Sequence, residues 1–266
     1  MPPHFLSMVA AELRAVFLRL SGKATLTLAV LVGGLCVAAM HFVVSQAGDA
    51  QINAVNIGSS IDQSWRGTLA WALTLRNFFV LPLLLVLAGA STMAGELADN
   101  SLREVMLRPV SRISILLAKL VALAALSASS LALTAAVAGL GGAAVFSTDA
   151  ELGPVLLGYA ASFASDLGLV LLTLLISTLS RSVGGVVVGI VLYLIVDKGV
   201  QLLLKGASML GQEWAQKAAP FVPGNALSVW EGWSGTWDEQ KLIGLAALCL
   251  LSGAGAAARF QRMDVP

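Results

Sequence analysis

Hydrophobic residues are concentrated in six stretches of the chain that few charges interrupt. The stretches lie at about residues 24–44, 74–95, 117–138, 156–179, 183–203 and 241–258. A helix that spans a bilayer needs about 20 predominantly apolar residues, and each stretch meets or approaches that length. The pattern therefore predicts an all-α integral membrane protein with six transmembrane helices, formed by a single domain over residues 1–266.

Two boundaries of these predicted helices depend on local signals. The glycine-rich sequence GLGGAAVFSTDAELGP, residues 139–154, is expected to form the turn after the third helix. The fifth stretch reaches full length only if its helix continues through Asp197 and Lys198 toward Leu204. Adjacent residues point to different faces of a helix and do not form a ready-made ion pair. We therefore expect Asp197 and Lys198 to mark an interfacial end of the fifth helix.

The N-terminal arm, residues 4–22, has an amphipathic pattern. Apolar side chains recur at helical spacing from Phe5 to Leu20, and Ser7 and Arg14 fall on the opposite face. A helix of this kind can lie flat in the membrane interface. The flat interfacial helix is the prediction, and an inward extension of the first crossing helix is the alternative.

The connection between the fifth and sixth stretches, residues 205–240, contains QEWAQKAA followed by PFVPGN. Proline has no N–H to continue a helix, so we predict a short helix that Pro220 and Pro223 stop. Three arrangements fit this segment: a re-entrant helix, a surface helix and a plain loop.

The composition excludes an ordinary water-soluble domain. Hydrophobic residues make up 58% of the 266 residues, charged residues make up 12%, and the mean hydropathy is +0.86. Soluble domains carry roughly 25% charged residues. The net charge of +1 gives no reason to expect nucleic acid as a partner.

Basic residues are distributed unequally between the two sets of connections. The N-terminal arm, the 96–119 loop, the 180–183 turn and the C-terminal tail hold ten basic residues against five acidic residues. The opposite connections hold six basic residues, Arg76 among them, against nine acidic residues. Because cytoplasmic loops are enriched in Lys and Arg, we expect the first set, with both termini, to be cytoplasmic. All six tryptophans fall in the opposite set, where aromatic rings favour the headgroup level.

The sequence lacks the motifs of several enzyme classes. There is no G-x-x-x-x-G-K-[ST] phosphate loop, so ATP hydrolysis by that route is excluded. His4 and His41 are the only histidines, which argues against zinc hydrolase and Ser-His-Asp sites. Cys36 and Cys249 lie in apolar stretches, where packing is their expected role. We predict no catalytic residue, no metal site and no cofactor.

Asp166 is an acidic residue inside the fourth stretch. A carboxylate at the bilayer centre costs about 2.5–3.5 kcal/mol on insertion scales, so its side chain must face protein or water. Three interpretations remain open: a position that lines a substrate or ion route, a structural partner for a nearby serine or basic group, and a site closer to the interface.

The loop ELADNSLREVMLRPVSRISILLAK, residues 96–119, carries seven charged residues in 24 positions. Leu102, Val105 and Met106 recur at helical spacing, and Pro109 is expected to end that helix. Arg112 and Lys119 lead into the third stretch, where long basic side chains can reach the headgroups. The loop is suited to a cytoplasmic partner, although a positively charged loop with lipid contacts has the same composition.

This loop resembles the corresponding loop in the permease subunits of type-2 ATP-binding cassette (ABC) exporters, including the group associated with multicopper enzyme maturation. Those subunits show a glutamate that closes the second span, a Gly-Thr-Leu-like turn, a leucine-rich helix, a proline, a small residue, an arginine and a lysine that opens the third span. The matching residues here are Glu96, Leu102, Arg103, Leu107, Pro109, Ser111, Arg112 and Lys119. The turn differs, because Asn100 and Ser101 replace Gly-Thr.

The resemblance implies a transport unit of two six-helix subunits, as a homodimer or a heterodimer, in the inner membrane of a bacterium. Each subunit would dock on a separate ATPase, which binds the ATP, through a short coupling helix between helices 2 and 3 and through the N-terminal arm. The residues expected to couple to the ATPase are Glu96, Leu102, Arg103, Leu107, Arg108, Pro109 and Arg112. Asp166 would then belong to the transport route.

Two other classes of function fit the sequence. One is a non-transporting membrane anchor, or mechanotransmission subunit, that recruits an ATPase or another cytoplasmic partner through the same loop. The other is a stand-alone ion-coupled carrier, which the lack of paired broken helices or an internal repeat disfavours. The sequence identifies no cargo.

Overall fold

The structure is a computed structural model that describes residues 3–47, 64–78, 80–106, 110–146, 148, 151–219, 222–234 and 237–263. Within these ranges all regular secondary structure is helical. Six helices are long and apolar enough to cross a membrane: Leu20–Val43, Leu81–Ala98, Arg112–Val145, Gly153–Ser180, Val183–Met209 and Glu239–Gln261. The chain is therefore a multi-pass membrane protein, which confirms the six predicted stretches.

The helices of the described ranges are numbered in chain order. They are α1 (Pro3–Leu18), α2 (Leu20–Ala47), α3 (Trp65–Phe78), α4 (Val80–Ala90), α5 (Glu96–Ala98), α6 (Ser101–Met106), α7 (Arg112–Val145), α8 (Gly153–Ser180), α9 (Val183–Met209), α10 (Glu213–Ala218), α11 (Pro223–Leu227) and α12 (Glu239–Gln261). A π-helical turn, Ser91–Gly95, joins α4 to α5, and a 3₁₀-helix, Val229–Ser234, follows α11.

The bundle has two ends, which we call the α6 end and the α11 end. At the α6 end, Arg112 at the start of α7 donates from Nη1 to the carbonyl oxygens of Gln261 and Met263, at 2.8 and 2.6 Å. The bond to Gln261 satisfies the last carbonyl of α12, which lacks a partner within the helix, and the bond to Met263 holds the residues that follow it. At the α11 end, Ala226 and Val229 pack against Ala161 and Ala164 of α8. The connections between spans thus fall into two spatially separate groups.

A sharp bend separates α1 from α2. Arg19 is non-helical between the two helices, and a Cβ atom added to Gly22 would lie 2.0 Å from the carbonyl oxygen of Val16. Residues six positions apart in a straight helix lie about 9 Å apart along the axis, so the chain must turn steeply here. Gly22 permits this approach because it has no Cβ. α1 is therefore a separate helix, packed on α7, and not a straight continuation of α2.

The glycine-rich stretch after residue 138 stays helical, contrary to the expected turn. α7 runs on to Val145, and its glycines face neighbouring helices. A Cβ on Gly141 would lie 2.6 Å from Val37 of α2, and a Cβ on Gly142 would lie 3.1 Å from Trp65 of α3. Small residues allow membrane helices to approach closely. Here glycine serves helix packing and does not break the helix.

The fifth span also differs from the prediction at its end. α9 continues through Asp197 and Lys198 to Met209, and Asp197 is only 5% exposed. The expected interfacial end of the helix at this pair is wrong, because Asp197 finds partners on α9 and α11. Its carboxylate accepts hydrogen bonds from Gln201 Nε2 at 2.7 Å and from the backbone N–H of Gly224 at 2.9 Å.

The segment between α9 and α12 is mostly helical. α10 at Glu213–Ala218 confirms the predicted short helix; Pro220 lies outside the described residues, and Pro223 opens α11 instead of ending a helix. α11 and the 3₁₀-helix turn back along α9 and α8 as far as Asp197 and Ala161. A plain loop is therefore wrong for this segment.

Candidate functional site

Arg76 of α3 and Asp166 of α8 form an ion pair in the interior of the bundle. Arg76 Nη2 lies 2.5 Å from Asp166 Oδ2, and Arg76 Nη1 lies 3.2 Å from Asp166 Oδ1. The Arg76 side chain is 0% exposed and the Asp166 side chain is 6% exposed. Two parallel hydrogen bonds of this kind are the strongest geometry for an arginine and a carboxylate.

Hydrogen bonds from α7 and α8 surround this pair. Ser127 Oγ of α7 donates to Asp166 Oδ2 at 2.5 Å, and Arg76 Nη2 donates to Ser130 Oγ at 3.0 Å. Arg76 Nη1 also donates to Ser162 Oγ of α8 at 3.3 Å. The pair and its serines therefore connect α3, α7 and α8. Arg76 and Asp166 compensate each other's charge inside the bundle. Removal of either residue would therefore leave the other as an uncompensated buried charge.

The prediction that Arg76 lies in a flanking connection is wrong. The second predicted stretch begins at about residue 74, but the charge count assigned Arg76 to the connection before it, because the run without charges starts only at Asn77. In the structure α3 carries Arg76 into the bundle, where Asp166 compensates its charge. Of the interpretations left open for Asp166, the structural partner is present, and Asp166 also lines a cavity.

This cavity has a volume of about 670 Å³ and lies between α3, α4, α8, α9 and the segment formed by α11 and the 3₁₀-helix. Small-molecule sites in proteins usually measure about 300–1,000 Å³. The residues lining it are Thr74, Asn77, Phe78, Pro82, Leu83, Val86, Ser162, Ser165, Asp166, Leu169, Val191, Leu194, Ile195, Asp197, Lys198, Gly224, Leu227, Ser228, Trp230 and Glu231. The cavity is large enough for a small organic molecule.

The lining is ordered from polar to apolar along α8, along α9 and from α3 to α4. On α8, Ser162 and Asp166 lie nearer the α11 end, and Leu169 lies nearer the α6 end. On α9, Asp197 and Lys198 lie nearer the α11 end than Val191 and Leu194. The same order holds from Asn77 of α3 to Val86 of α4. The cavity therefore has a polar half toward the α11 end and an apolar half toward the α6 end.

One polar atom at the cavity has no partner among the described residues. Asn77 Nδ2 is buried without a hydrogen-bond acceptor, whereas its Oδ1 accepts from Arg76 Nη1 at 2.7 Å and from Ser162 Oγ at 3.0 Å. Buried donors are normally paired. Among the described residues this amide is therefore paired through its oxygen alone.

A second charged cluster lies at the α6 end. Lys119 of α7 donates from Nζ to Glu12 Oε1 of α1 at 2.8 Å and to Glu96 Oε2 of α5 at 2.5 Å. Arg19 Nη2 donates to Glu96 Oε1 at 2.8 Å. Lys119 is 0% exposed, so the expectation that its side chain reaches lipid headgroups is wrong. Two partly buried acidic neighbours compensate its charge inside the protein. These four residues, called here the Lys119 cluster, connect α1, α5 and α7.

The residues expected to contact an ATPase have different environments. Leu102 of α6 is 1% exposed and belongs to the core, while Glu96 and Arg112 bond within the chain. Val105 and Met106 of α6 also pack against the core, and Glu104 is exposed. Leu107, Arg108 and Pro109 lie outside the described residues, as does the side chain of Arg103. Of the short helix expected over residues 102–108, the described part is helical at Ser101–Met106 and packs on the bundle.

The sequence reasoning missed Arg76, Ser127, Asp197 and the α11 segment as parts of one site. A signal for Arg76 existed, because an intramembrane Asp166 required a cation and Arg76 adjoins a span. Nothing in the sequence indicated which of the polar residues along α9 and α11 would meet.

A family model described as "Protein of unknown function (DUF2705)" matches residues 26–266 of the chain. None of the curated proteins matches the chain.

Proposed function

Because the chain belongs to the DUF2705 family, whose description assigns no function, we propose a function from its own residues: it is the transmembrane subunit of an ABC exporter. A separate ATPase subunit binds and hydrolyses the ATP. The α6 end faces the cytoplasm, with both termini, at the inner membrane of a bacterium. A second transmembrane subunit, identical or different, completes the transport unit.

The charge distribution supports this orientation. The connections at the α6 end, together with the termini, carry ten basic and five acidic residues, and basic residues favour the cytoplasmic side. The resemblance of the 96–119 loop to the loops of type-2 ABC permeases supports an ATPase as the partner at this end.

The observation that carries the proposal is the attachment of α6 to the bundle. Leu102 holds α6 in the core through its buried side chain. Glu96, five residues before α6, is held by Lys119 of α7 and Arg19. A force applied to α6 is therefore transferred to α7 through packed and charged contacts.

α7 links the Lys119 cluster to the cavity. Ser127 and Ser130 of α7, which hold the Asp166–Arg76 pair, lie two to three helical turns beyond Lys119, roughly 12–17 Å along the axis. Closure of two ATPase subunits would push α6, shift α7 and change access to the cavity. Packed helices permit rigid-body transitions of this kind.

The test is co-purification with an ABC ATPase encoded in the neighbouring genes. Arg103→Glu combined with Arg108→Glu should abolish the complex, because both substitutions reverse a charge in the 96–119 loop that is proposed to contact the ATPase. Lys205→Glu combined with Lys217→Glu is the matched control at the other end, and it should leave the complex intact. If the complex survives the first pair of reversals, the docking role of this loop is wrong.

A second candidate function is a membrane anchor that recruits an ATPase without transport. The observation that favours it is the complete engagement of Asp166 by Arg76 and Ser127. Arg76→Leu combined with Asp166→Leu removes both charges together and separates the two functions. If the protein is an anchor, this variant should still recruit the ATPase and support the activity that depends on that recruitment. If the protein is an exporter, the variant should lose ATP-dependent transport.

A further inference from the structure

The position and lining of the cavity restrict what can occupy it. Phe78 and Ile195 line the cavity and are 81% and 61% exposed. They lie on the outer surface of α3 and α9, so the mouth of the cavity opens on the side of the bundle between these helices. A molecule in the membrane can enter the cavity there.

The polar-to-apolar order of the lining selects an amphipathic occupant. The polar half, from Asn77 to Asp197, accommodates a polar group near the α11 end. The apolar half, lined by Val86, Leu169 and Leu194, accommodates a chain or ring that avoids water.

The charges of the lining favour a cation. Three carboxylates, those of Asp166, Asp197 and Glu231, face one ammonium group, that of Lys198. Asp166 already has Arg76 as its counter-ion, and Glu231 lies 3.9 Å from Lys241. Asp197 therefore decides the sign of the charge that the cavity accepts.

Asp197 is 5% exposed and is held only by neutral donors within the described part of the chain. Those donors are the backbone N–H of Gly224 and the side-chain amide of Gln201. The neighbouring Lys198 does not pair with it, because Lys198 Nζ donates to Gln201 Oε1 at 3.1 Å. A buried carboxylate without a cationic partner is costly, and a bound cation would provide the missing charge.

Aromatic rings complete the site. Trp230 and Phe78 line the cavity together with Asp197. The face of an aromatic ring attracts cations, tryptophan most strongly.

We propose that this cavity binds a hydrophobic organic cation, with its charged centre at Asp197 and its apolar part between Val86, Leu169 and Leu194. For the fate of the bound molecule, namely its transport, this inference rests on the proposed function. Binding itself does not, because it requires neither the ATPase nor ATP.

The experiment uses the full chain in phosphatidylcholine nanodiscs, without an ATPase. The probe is radiolabelled tetraphenylphosphonium, and empty nanodiscs measure partition into the lipid. Tetraphenylborate has the same shape with the opposite charge and serves as the matched probe. We expect saturable binding of tetraphenylphosphonium, displaced by dodecyltrimethylammonium, and no saturable binding of tetraphenylborate.

Two variants locate the site. Asp197→Asn should weaken tetraphenylphosphonium binding at least tenfold, and Leu194→Trp, which fills the apolar half but keeps the carboxylate, should also weaken it. Glu213→Gln changes an exposed carboxylate on α10 and should bind like the wild type. If Asp197→Asn fails to fold, Leu194→Trp decides the location.

The inference is overturned if tetraphenylborate binds as well as tetraphenylphosphonium, or if Asp197→Asn and Leu194→Trp both bind like the wild type. Absence of binding in a protein that still co-purifies with its ATPase overturns the ligand class alone. Saturable cation binding in a protein that fails to recruit an ATPase overturns the proposed function alone.

Discussion

Arg76 and Asp166 are 90 positions apart in the chain, yet their side chains meet 2.5 Å apart with 0% and 6% of their surfaces exposed. The pair fastens α3 to α8, and the serines of α7 join it to the third span. Beside the cavity, an ion pair and its hydrogen bonds thus join α3, α7 and α8.

Asp166→Leu should destabilise the protein by about 3–5 kcal/mol, because it leaves Arg76 charged and buried without a counter-ion. Arg76→Leu combined with Asp166→Leu should recover most of this loss. Denaturant unfolding of the detergent-solubilised protein measures both, and the double-mutant cycle gives the coupling. Equal stability of Asp166→Leu and the wild type would mean that the pair is not formed.

Lys119→Met should release α1 from α7. The substitution leaves Glu12 and Glu96 without the buried ammonium that joins them, and removal of one partner from a buried charged group costs about 3–5 kcal/mol. Hydrogen exchange of residues 5–18 should accelerate. Lys217→Met, at a lysine that is 81% exposed, is the control and should exchange like the wild type; the same protection in both variants would refute the role of the Lys119 cluster.

Gly22→Ala and Gly34→Ala should have opposite effects on stability. A Cβ at Gly22 would lie 2.0 Å from the carbonyl oxygen of Val16, whereas a Cβ at Gly34 would have nothing within 4 Å. Gly34→Ala should stabilise α2 by about 0.5–1 kcal/mol, since alanine favours a helix over glycine. Gly22→Ala should lower the thermal unfolding temperature. A neutral or stabilising Gly22→Ala would mean that the bend at Arg19 is absent.

Gly224→Ala should loosen α11 from α9. The added Cβ would collide with the Asp197 carboxylate, and a buried group that loses its hydrogen bond costs about 1–3 kcal/mol. Limited proteolysis of the 205–240 segment should become faster. Gly206→Ala, whose Cβ would meet nothing within 4 Å, is the control; equal cleavage rates for the two variants would contradict the contact.

The six spans could be predicted because each needs only about 20 apolar residues in sequence. α10 and α6 could also be predicted from local signals, namely helical spacing of apolar residues and a proline after the helix. The buried charges could not be predicted in the same way. Along the sequence, Arg76 and Lys119 lie near the ends of apolar stretches and resemble flanking residues. Only tertiary packing brings Asp166 to Arg76, and Glu12 and Glu96 to Lys119.

The end of α9 was missed for a related reason. Asp197 resembled the end of a helix because its partner, the Gly224 backbone, lies 27 positions away. The sequence predicted a helix over residues 4–22 separate from the first span, but Gly22 itself gave no signal of the close approach, because glycine is common in membrane helices. The close approach that it permits involves Val16, which belongs to another helix in the structure.

Site-specific photo-crosslinking shows whether α6 is the part of the chain that contacts the ATPase. Cys36 and Cys249 are first replaced by alanine, and a single cysteine is then labelled with a benzophenone maleimide. The label is attached at Glu104→Cys, an exposed position on α6, or at Glu213→Cys on α10, where the glutamate side chain is 85% exposed. We expect an ATPase adduct from Glu104→Cys and none from Glu213→Cys. An adduct from Glu213→Cys alone, or none from either position, would contradict this expectation.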